Sequence, residues 1–189
     1  MLHRDVINDQ LFNQYIAAKN DLFSLRLDHW IKREFLSSQW LGIVFATVIF
    51  IFLWWRLLDK KRLIEILLFG LFIAIISSII DGIGTELNAW DYPIKLGPMY
   101  FPLVVVDLLM LPYILMLLYQ YFADWKNYLV AITIASAIFC FIIEPFLRYT
   151  GIYVLYTWKY HYSFPIYILI ALFCKWLMHL ILLRQERSM

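Results

Sequence analysis

Ionisable side chains interrupt the apolar runs of this chain at a few positions, and these positions are the first candidates for chemistry. The candidate ligand or proton site consists of Asp81, Glu86, Asp107, Glu144 and Lys175. Charged groups inside a bilayer are costly, so they usually face the interior of a helix bundle and pair with one another. We therefore expect these side chains to form a carboxylate-lined polar pocket in the outer half of a membrane, around a single deep lysine.

Depth along the helices predicts one specific ion pair in this group. At about 1.5 Å of rise per residue, Lys175 lies roughly 15 Å from the outer end of its span, and Asp107 lies roughly 8 to 10 Å deep. Helical side chains lean toward the N-terminus of their helix, which would carry the Lys175 ammonium toward Asp107. The pair could simply neutralise two charges and fix helix register, while Glu144 reaches to the surface. Alternatively, Asp107 or Glu144 exchanges protons or holds a cationic ligand.

Composition places these residues in an integral membrane protein. The chain is 63% hydrophobic and 16% charged, with a mean hydropathy of +0.73, whereas about a quarter of the residues in soluble domains are charged. The net charge of +2 is small, and the 16 Lys and Arg residues are scattered among turns, which argues against nucleic-acid binding. The two cysteines lie inside apolar runs, without disulfide or zinc spacing. We expect no metal and no cofactor.

Five segments are long and apolar enough to position the candidate site inside a bilayer. A spanning helix needs about 20 mostly apolar residues. The five predicted spans are residues 38–55, 63–81, 100–121, 128–147 and 165–183. Residues 38–189 are therefore expected to form an all-α, five-helix transmembrane domain.

Aromatic residues concentrate between these spans. Tyrosine and tryptophan favour the level of the lipid head groups. Residues 148–164 are rich in both and are expected to form a loop along the membrane surface. The residues expected at this interface are Trp90, Tyr92, Trp158 and Tyr160.

The N-terminal segment, residues 1–37, is too charged to cross hydrocarbon but has helical periodicity. Its apolar positions recur at helical spacing, and basic residues recur every seven residues beside them. This pattern predicts an amphipathic helix, with attachment to the membrane interface as the favoured interpretation. Packing against a partner protein, or against the chain's own bundle as a lid, stays open.

Basic residues orient the chain across the membrane. With five spans, the turn at residues 56–62 shares its side with the C-terminus, and these parts hold most of the basic residues outside the N-terminal segment. Because basic loops favour the cytoplasm, the C-terminus is predicted to be cytoplasmic. The basic residues of the N-terminal segment argue in the opposite direction.

Sequence motifs of known membrane enzymes are missing. The chain contains no HExxH, GxSxG or CxxC, and Gly82-Ile83-Gly84 lacks the third glycine of a dinucleotide-binding loop. No catalytic residue is therefore assigned. One enzyme class stays open: an enzyme that acts on a lipid or isoprenoid and uses two of its own carboxyl groups as acid and base.

Several short motifs from Arg56 to about residue 185 resemble a known family. The matching residues are Lys60-Lys61-Arg62 with Glu65, Gly84-Thr85-Glu86 leading to Tyr92-Pro93, Tyr119-Gln120-Tyr121 with Trp125, Glu144, Tyr149-Thr150-Gly151, and Trp158 to Tyr162. This pattern resembles a family of small multi-pass membrane proteins of spore-forming bacteria, which has no assigned molecular function. The resemblance implies a bacterial cytoplasmic membrane and supplies no catalytic residue. The first 37 residues depart from it.

Together these patterns favour a non-enzymatic membrane component that senses or binds a partner or ligand through its polar pocket. The alternative is a proton-coupled transport or permeation unit. Because the five spans contain no internal repeat of the kind common in transporters, such a unit could be an oligomer. The second alternative is the lipid or isoprenoid enzyme. Expected partners are the lipid bilayer and either a second copy or another membrane protein.

Overall fold

A computed structural model describes residues 10–98 and 109–188, and in these ranges the regular structure is helical apart from one short pair of strands. The helices are α1 (Gln10–His29), α2 (Ser38–Leu57), α3 (Leu63–Glu86), α4 (Leu111–Tyr121), α5 (Trp125–Ile138), α6 (Glu144–Tyr149) and α7 (Tyr160–Ser188). The strands are β1 (Trp90–Asp91) and β2 (Val154–Leu155). Single turns of π-helix at Trp30–Glu34 and Phe139–Ile143 and of 3₁₀-helix at Lys60–Arg62 complete the regular structure.

Four helical segments of the described chain are long and apolar enough to cross a membrane. They are Ser38–Leu57, Lys60–Glu86, Trp125–Tyr149 and Tyr160–Arg187. The prediction of an all-α, multi-pass membrane protein is confirmed at this level. The predicted third span is described only in its second half, where α4 begins at Leu111; residues 100–108 of that prediction lie outside the described residues.

Helix α3 is the centre of the bundle and packs against α4 and α7. Its inward side carries Ile66, Phe69 and Ile73, all fully buried. The Phe69 ring stacks on Tyr119 of α4, with ring centroids 4.3 Å apart. Close approach is possible because Gly70 has no side chain. A Cβ there would overlap the side chain of Met116 on α4. A small residue on α3 thus sets the spacing of the two helices.

The bundle has two ends, which we call the loop end and the turn end. The loop end contains residues 87–98 and 150–159, which are joined by antiparallel pairing of β1 with β2. The turn end contains residues 58–62 and 122–124. There the side-chain amide of Gln120 accepts a hydrogen bond from the Asp59 N–H at 2.7 Å and donates one to the Leu57 carbonyl at 2.9 Å. Each end is therefore held by contacts between segments far apart in sequence.

The N-terminal segment is fixed to the loop end through its last turn. Helix α1 has no buried residue, but the π-helical turn that follows it contacts the loop. The Trp30 indole donates to the Lys95 carbonyl at 3.0 Å, and the Lys95 N–H donates to Glu34 Oε2 at 2.6 Å. The predicted N-terminal helix is thus present over residues 10–29. Its attachment to a membrane surface stays a prediction.

Two predicted helix boundaries were wrong: a carboxylate was taken as the end of one span, and a proline was taken as the start of another. Helix α3 continues to Glu86, so Asp81 lies within a helix. Helix α7 begins at Tyr160 and includes Pro165, so residues 148–164 are not one surface loop. Pro165 is the sixth residue of α7, beyond the four N–H groups that have no intrahelical acceptor, so it removes one backbone hydrogen bond without ending the helix.

The predicted fourth span, residues 128–147, lies within one continuous helical segment, Trp125–Tyr149. The π-helical turn Phe139–Ile143 joins α5 to α6, which places Pro145 in the first turn of α6. A π-helical turn changes the local hydrogen-bond spacing and so accommodates a residue that has no N–H to donate. The segment ends at Tyr149, next to the loop end.

Candidate functional site

A small cavity lies at the loop end, between α3, α7 and the two loops. Its volume is about 60 Å³. It is lined by aromatic rings, two serine hydroxyls, one carboxylate and apolar helix residues: Ser77, Ile80, Asp81, Trp90, Tyr92, Tyr153, Trp158, Ser163, Ile166, Tyr167 and Ile170. We call this the loop-end cavity. Rings and hydroxyls with few convergent charges are typical of small-molecule sites.

Asp81 is the carboxylate in the cavity wall. It is 5% exposed, four helical residues after Ser77, so both side chains lie on the same side of α3. Its Oδ1 accepts a hydrogen bond from the Trp90 indole at 2.6 Å and another from the Tyr92 hydroxyl at 2.7 Å. Both donors are neutral and come from β1 and the residue after it. The loop thus folds back over the helix end to hold this carboxylate.

Two residues at the end of α3 allow that return. Asn88 has a positive φ of 51°, a left-handed conformation that asparagine tolerates better than most residues. Gly84 presents no side chain, and a Cβ there would overlap the Trp90 ring. The chain therefore turns sharply after α3, and the indole lies directly against the helix backbone.

Glu144 is the second buried carboxylate at this end, with 6% exposure. Its Oε1 accepts a hydrogen bond from the Tyr167 hydroxyl at 3.0 Å, and its Oε2 accepts one from the Ser163 hydroxyl at 3.4 Å. Ser163 in turn accepts a bond from the Trp158 indole at 3.0 Å. Ser163 and Tyr167 line the cavity, so Glu144 lies directly behind its wall.

Aromatic contacts join the two carboxylate groups into one structure. The Trp90 and Trp158 rings meet edge to face at 4.9 Å, and the Tyr92 and Tyr153 rings stack at 5.4 Å. Burial raises the pKa of the Tyr153 hydroxyl, and the negative charges of Glu144 and then Asp81 raise it further. Both charges act on the same hydroxyl, so they share one environment around the cavity.

The structure thus brings together only part of the predicted site. Asp81 and the partners of Glu144 meet at the loop-end cavity, whereas Glu86 is exposed on α3. Asp107 lies outside the described residues. Lys175 is buried, but its ammonium lies at the opposite, turn end, where it donates to the Phe122 and Ala123 carbonyls.

The direction of Lys175 differs from the prediction because α4 offers it better partners. The last carbonyls of a helix have no intrahelical donor, and a lysine can supply one. Its ammonium donates to the carbonyls of Phe122 and Ala123, the two residues that directly follow α4, at 2.8 Å each. It also lies 4.1 Å from the Tyr128 ring centroid and 5.2 Å from that of Trp125. These contacts outweigh the intrinsic lean of a helical side chain.

The aromatic residues predicted at the membrane interface lie mostly in or beside the wall of the loop-end cavity. Trp90 and Tyr92 are buried in the cavity wall, and Trp158 is half-buried beside them. Tyr160 is half-buried, and its hydroxyl lies 3.5 Å from the Arg148 guanidinium. Three of the four residues therefore form part of the polar site.

Sequence reasoning missed the hydroxyl residues of the site. Ser163 and Tyr167 are four residues apart, the spacing of side chains on one helix face, and they meet Glu144 there. Ser77 and Asp81 repeat this spacing on α3. A search for polar pairs four residues apart inside apolar helices would have found both.

A second, larger pocket lies where the N-terminal segment meets the loop end. Its volume is about 260 Å³, and its lining includes Arg26, His29, Glu34, Asp91 and Lys95. Glu34 is 6% exposed and accepts bonds from the His29 ring at 2.9 Å and the Lys95 N–H. The Lys95 ammonium lies 3.0 Å from Asp91. Charges in this pocket are balanced within the pocket itself.

Comparisons of the chain with protein-family models, with characterised proteins and with solved structures give no match. Within residues 10–98 and 109–188, no group of three or more His, Cys, Asp or Glu side chains is placed to hold a metal ion. The site is therefore interpreted from its own chemistry.

Proposed function

We propose that this chain is a non-enzymatic component of a bacterial cytoplasmic membrane that senses or binds a small ligand in the loop-end cavity. One observation carries the proposal: Asp81, almost fully buried, is held by two neutral donors in the wall of a cavity of about 60 Å³. A buried carboxylate is costly unless something polar or charged contacts it. Placed in a cavity wall, a carboxylate held in this way can also orient a polar or charged ligand.

The rigidity of the site supports binding. Asp81 is held by the indole and phenol of Trp90 and Tyr92, and Glu144 is held by the hydroxyls of Ser163 and Tyr167. Aromatic side chains have few rotatable bonds, so this arrangement of acceptors needs little further ordering when a ligand arrives. Preorganisation of this kind contributes to affinity.

A fifth span is part of the proposal. Residue 98 lies at the loop end, whereas α4 finishes at Tyr121 beside the turn end, where Gln120 contacts Leu57. These two positions support the span proposed for residues 100–121, which would connect the two ends of the bundle. Five spans put the C-terminus at the turn end, and the basic residues there favour the cytoplasm.

Ligand occupancy tests the proposal directly. The full chain is purified from its native membrane in mild detergent and analysed by native mass spectrometry. Ser77→Leu places a larger side chain in the cavity, and Ser78→Leu, one residue further on α3 and outside the cavity lining, is the matched control. We expect a bound small molecule on the wild type and Ser78→Leu, and none on Ser77→Leu. Its absence from the wild type, or retention by a folded Ser77→Leu variant, would contradict the proposal.

Proton-coupled transport or permeation is the second candidate, and Glu144 favours it. Within the described residues, this carboxylate contacts neutral hydroxyls and has no ion-pair partner. A buried carboxylate without a fixed cation can take up and release a proton. Proteoliposomes loaded with a pH-sensitive dye test this candidate. Proton flux that is lost in Glu144→Gln would support transport, and absence of flux in the wild type would exclude it.

A further inference from the structure

The lining of the loop-end cavity indicates the charge of its ligand; this inference deepens the proposed function and rests on it. We propose that the loop-end cavity binds a primary ammonium group, carried by a small amine or by a lipid head group. Among the described residues that line the cavity, none is basic, Asp81 is acidic, and Glu144 lies directly behind the wall. A cationic ligand would be attracted by both carboxylates, and an anion would be repelled.

The aromatic wall favours a cation independently of the carboxylates. Five of the lining side chains are aromatic: Trp90, Tyr92, Tyr153, Trp158 and Tyr167. A cation within about 6 Å of a ring centroid is attracted by the negative face of the ring, most strongly where water is excluded and the ring is tryptophan. Rings that surround a cavity are the usual way in which proteins hold quaternary ammonium ligands, and the same attraction acts on a primary ammonium.

Hydrogen-bond chemistry selects an ammonium with free N–H groups. A primary ammonium has three donors and no acceptor. The cavity wall offers acceptor oxygens from the Asp81 carboxylate and from the hydroxyls of Ser77 and Ser163. A fully methylated ammonium could use the rings but none of these oxygens. The combination of rings and oxygen acceptors therefore favours the primary form.

The chain already holds one ammonium in this way. At the turn end, the Lys175 ammonium lies over the Tyr128 ring and donates to the Phe122 and Ala123 carbonyls. The loop-end cavity offers the same two kinds of contact, ring faces and oxygen acceptors, without a lysine from the chain among its described lining. An ammonium group from a ligand could make these contacts in place of a lysine.

Binding of defined amines tests the inference. The full chain is placed in nanodiscs of phosphatidylglycerol alone, and tryptophan fluorescence is titrated with methylammonium, ethanolamine, neutral ethylene glycol and tetramethylammonium. We expect saturable binding of the first two, and affinity at least tenfold weaker for the others. Nanodiscs that also contain phosphatidylethanolamine separate the two sources. Loss of amine binding there indicates a lipid head group, whereas unchanged binding indicates a free amine.

Two variants connect the binding to the cavity. Asp81→Asn removes the charge in the wall. Trp158→Leu removes a ring that is only half-buried, so the fold should tolerate this change more easily than the loss of a fully buried ring. Both should weaken methylammonium binding several-fold, whereas the exposed Glu86→Gln should not. Unchanged affinity in a folded Trp158→Leu variant, or equal binding of ethylene glycol, would overturn the inference. If the molecule found by mass spectrometry is neutral or anionic, the inference fails while the proposed function stands.

Discussion

The indole nitrogen of Trp90 lies 2.6 Å from Oδ1 of Asp81, and this hydrogen bond connects the end of α3 to the short sheet at the loop end. The Tyr92 hydroxyl donates to the same oxygen at 2.7 Å. Hydrogen bonds to a charged group contribute about 1.5–3 kcal/mol each. The position of β1 against α3 therefore depends on this carboxylate and on the close approach of one indole ring to the helix.

Gly84→Ala should disrupt this approach. Its methyl group would overlap the Trp90 ring, which cannot move away easily because it is bonded to Asp81 and packed against Trp158. Overpacking of this kind costs about 1–3 kcal/mol. We expect a lower melting temperature in detergent and a red-shifted tryptophan fluorescence as the indole loses its buried environment.

Gly82→Ala is the matched control for this substitution. It lies on the same helix, and a Cβ there meets no atom within 4 Å. Alanine is favoured over glycine inside a helix by up to about 1 kcal/mol, so this variant should be neutral or more stable. Equal destabilisation by both substitutions would show that Trp90 is not the cause.

The N-terminal segment is predicted to stabilise the loop through Glu34. The buried carboxylate accepts the Lys95 N–H at 2.6 Å, and the neighbouring Trp30 indole donates to the Lys95 carbonyl. Glu34→Ala leaves that N–H without its acceptor, at a cost of about 1–3 kcal/mol. We expect faster amide hydrogen exchange over residues 92–97, measured by mass spectrometry.

Two further variants make this prediction specific. Glu34→Gln keeps a side-chain oxygen that can accept the Lys95 N–H, so its exchange should stay closer to the wild type. Asp28→Ala removes an exposed carboxylate that pairs with Lys32 at 2.6 Å, and exposed pairs contribute little. If Asp28→Ala accelerates exchange as much as Glu34→Ala, the contact at Lys95 is not responsible.

Lys175 is predicted to stabilise the turn end through backbone carbonyls. Lys175→Met would leave the Phe122 and Ala123 carbonyls without their donor, a loss of about 1.5–3 kcal/mol for each bond to a charged group. Adding Asp107→Asn should not restore stability, because the ammonium is bonded elsewhere. Thermal unfolding of the single and double variants measures this, and rescue by Asp107→Asn would instead support the ion pair.

Sequence patterns were sufficient to find the elements of the fold and two of the site residues. Long apolar runs indicate membrane helices, and a carboxylate inside such a run is rare enough to stand out. Asp81 and Glu144 were singled out for that reason, and both are buried at the loop end. Trp90 and Tyr92 were also singled out, although for the head-group level of the membrane.

The partners of these residues could not be predicted, because they depend on contacts between distant segments. Glu34 is buried only because the loop around Lys95 folds onto it, 61 residues away in sequence. Lys175 turns toward the end of α4 because carbonyls are available there, 52 and 53 residues earlier in the chain. Periodicity gives the face of a helix on which a residue lies, but not the element that this face meets.

The proposed orientation gives the last prediction. Basic residues at the turn end, among them Arg56, Arg62 and Arg184, favour a cytoplasmic position for this end. The last turn of the N-terminal segment, which carries Lys32 and Arg33, is bonded to the loop at Lys95 and so lies at the opposite end. The turn-end residues adjoin spans directly and should determine the orientation.

Cysteine labelling measures this orientation with little background, because Cys140 and Cys174 are both fully buried. Tyr156→Cys reports on the loop end and Glu186→Cys on the turn end, and both positions are exposed. A membrane-impermeant maleimide should label Tyr156→Cys in intact cells and Glu186→Cys only after the membrane is opened. The reverse pattern would place the loop-end cavity on the cytoplasmic side. Labelling of both in intact cells would contradict a membrane crossing by α7, the helix that lies between the two positions.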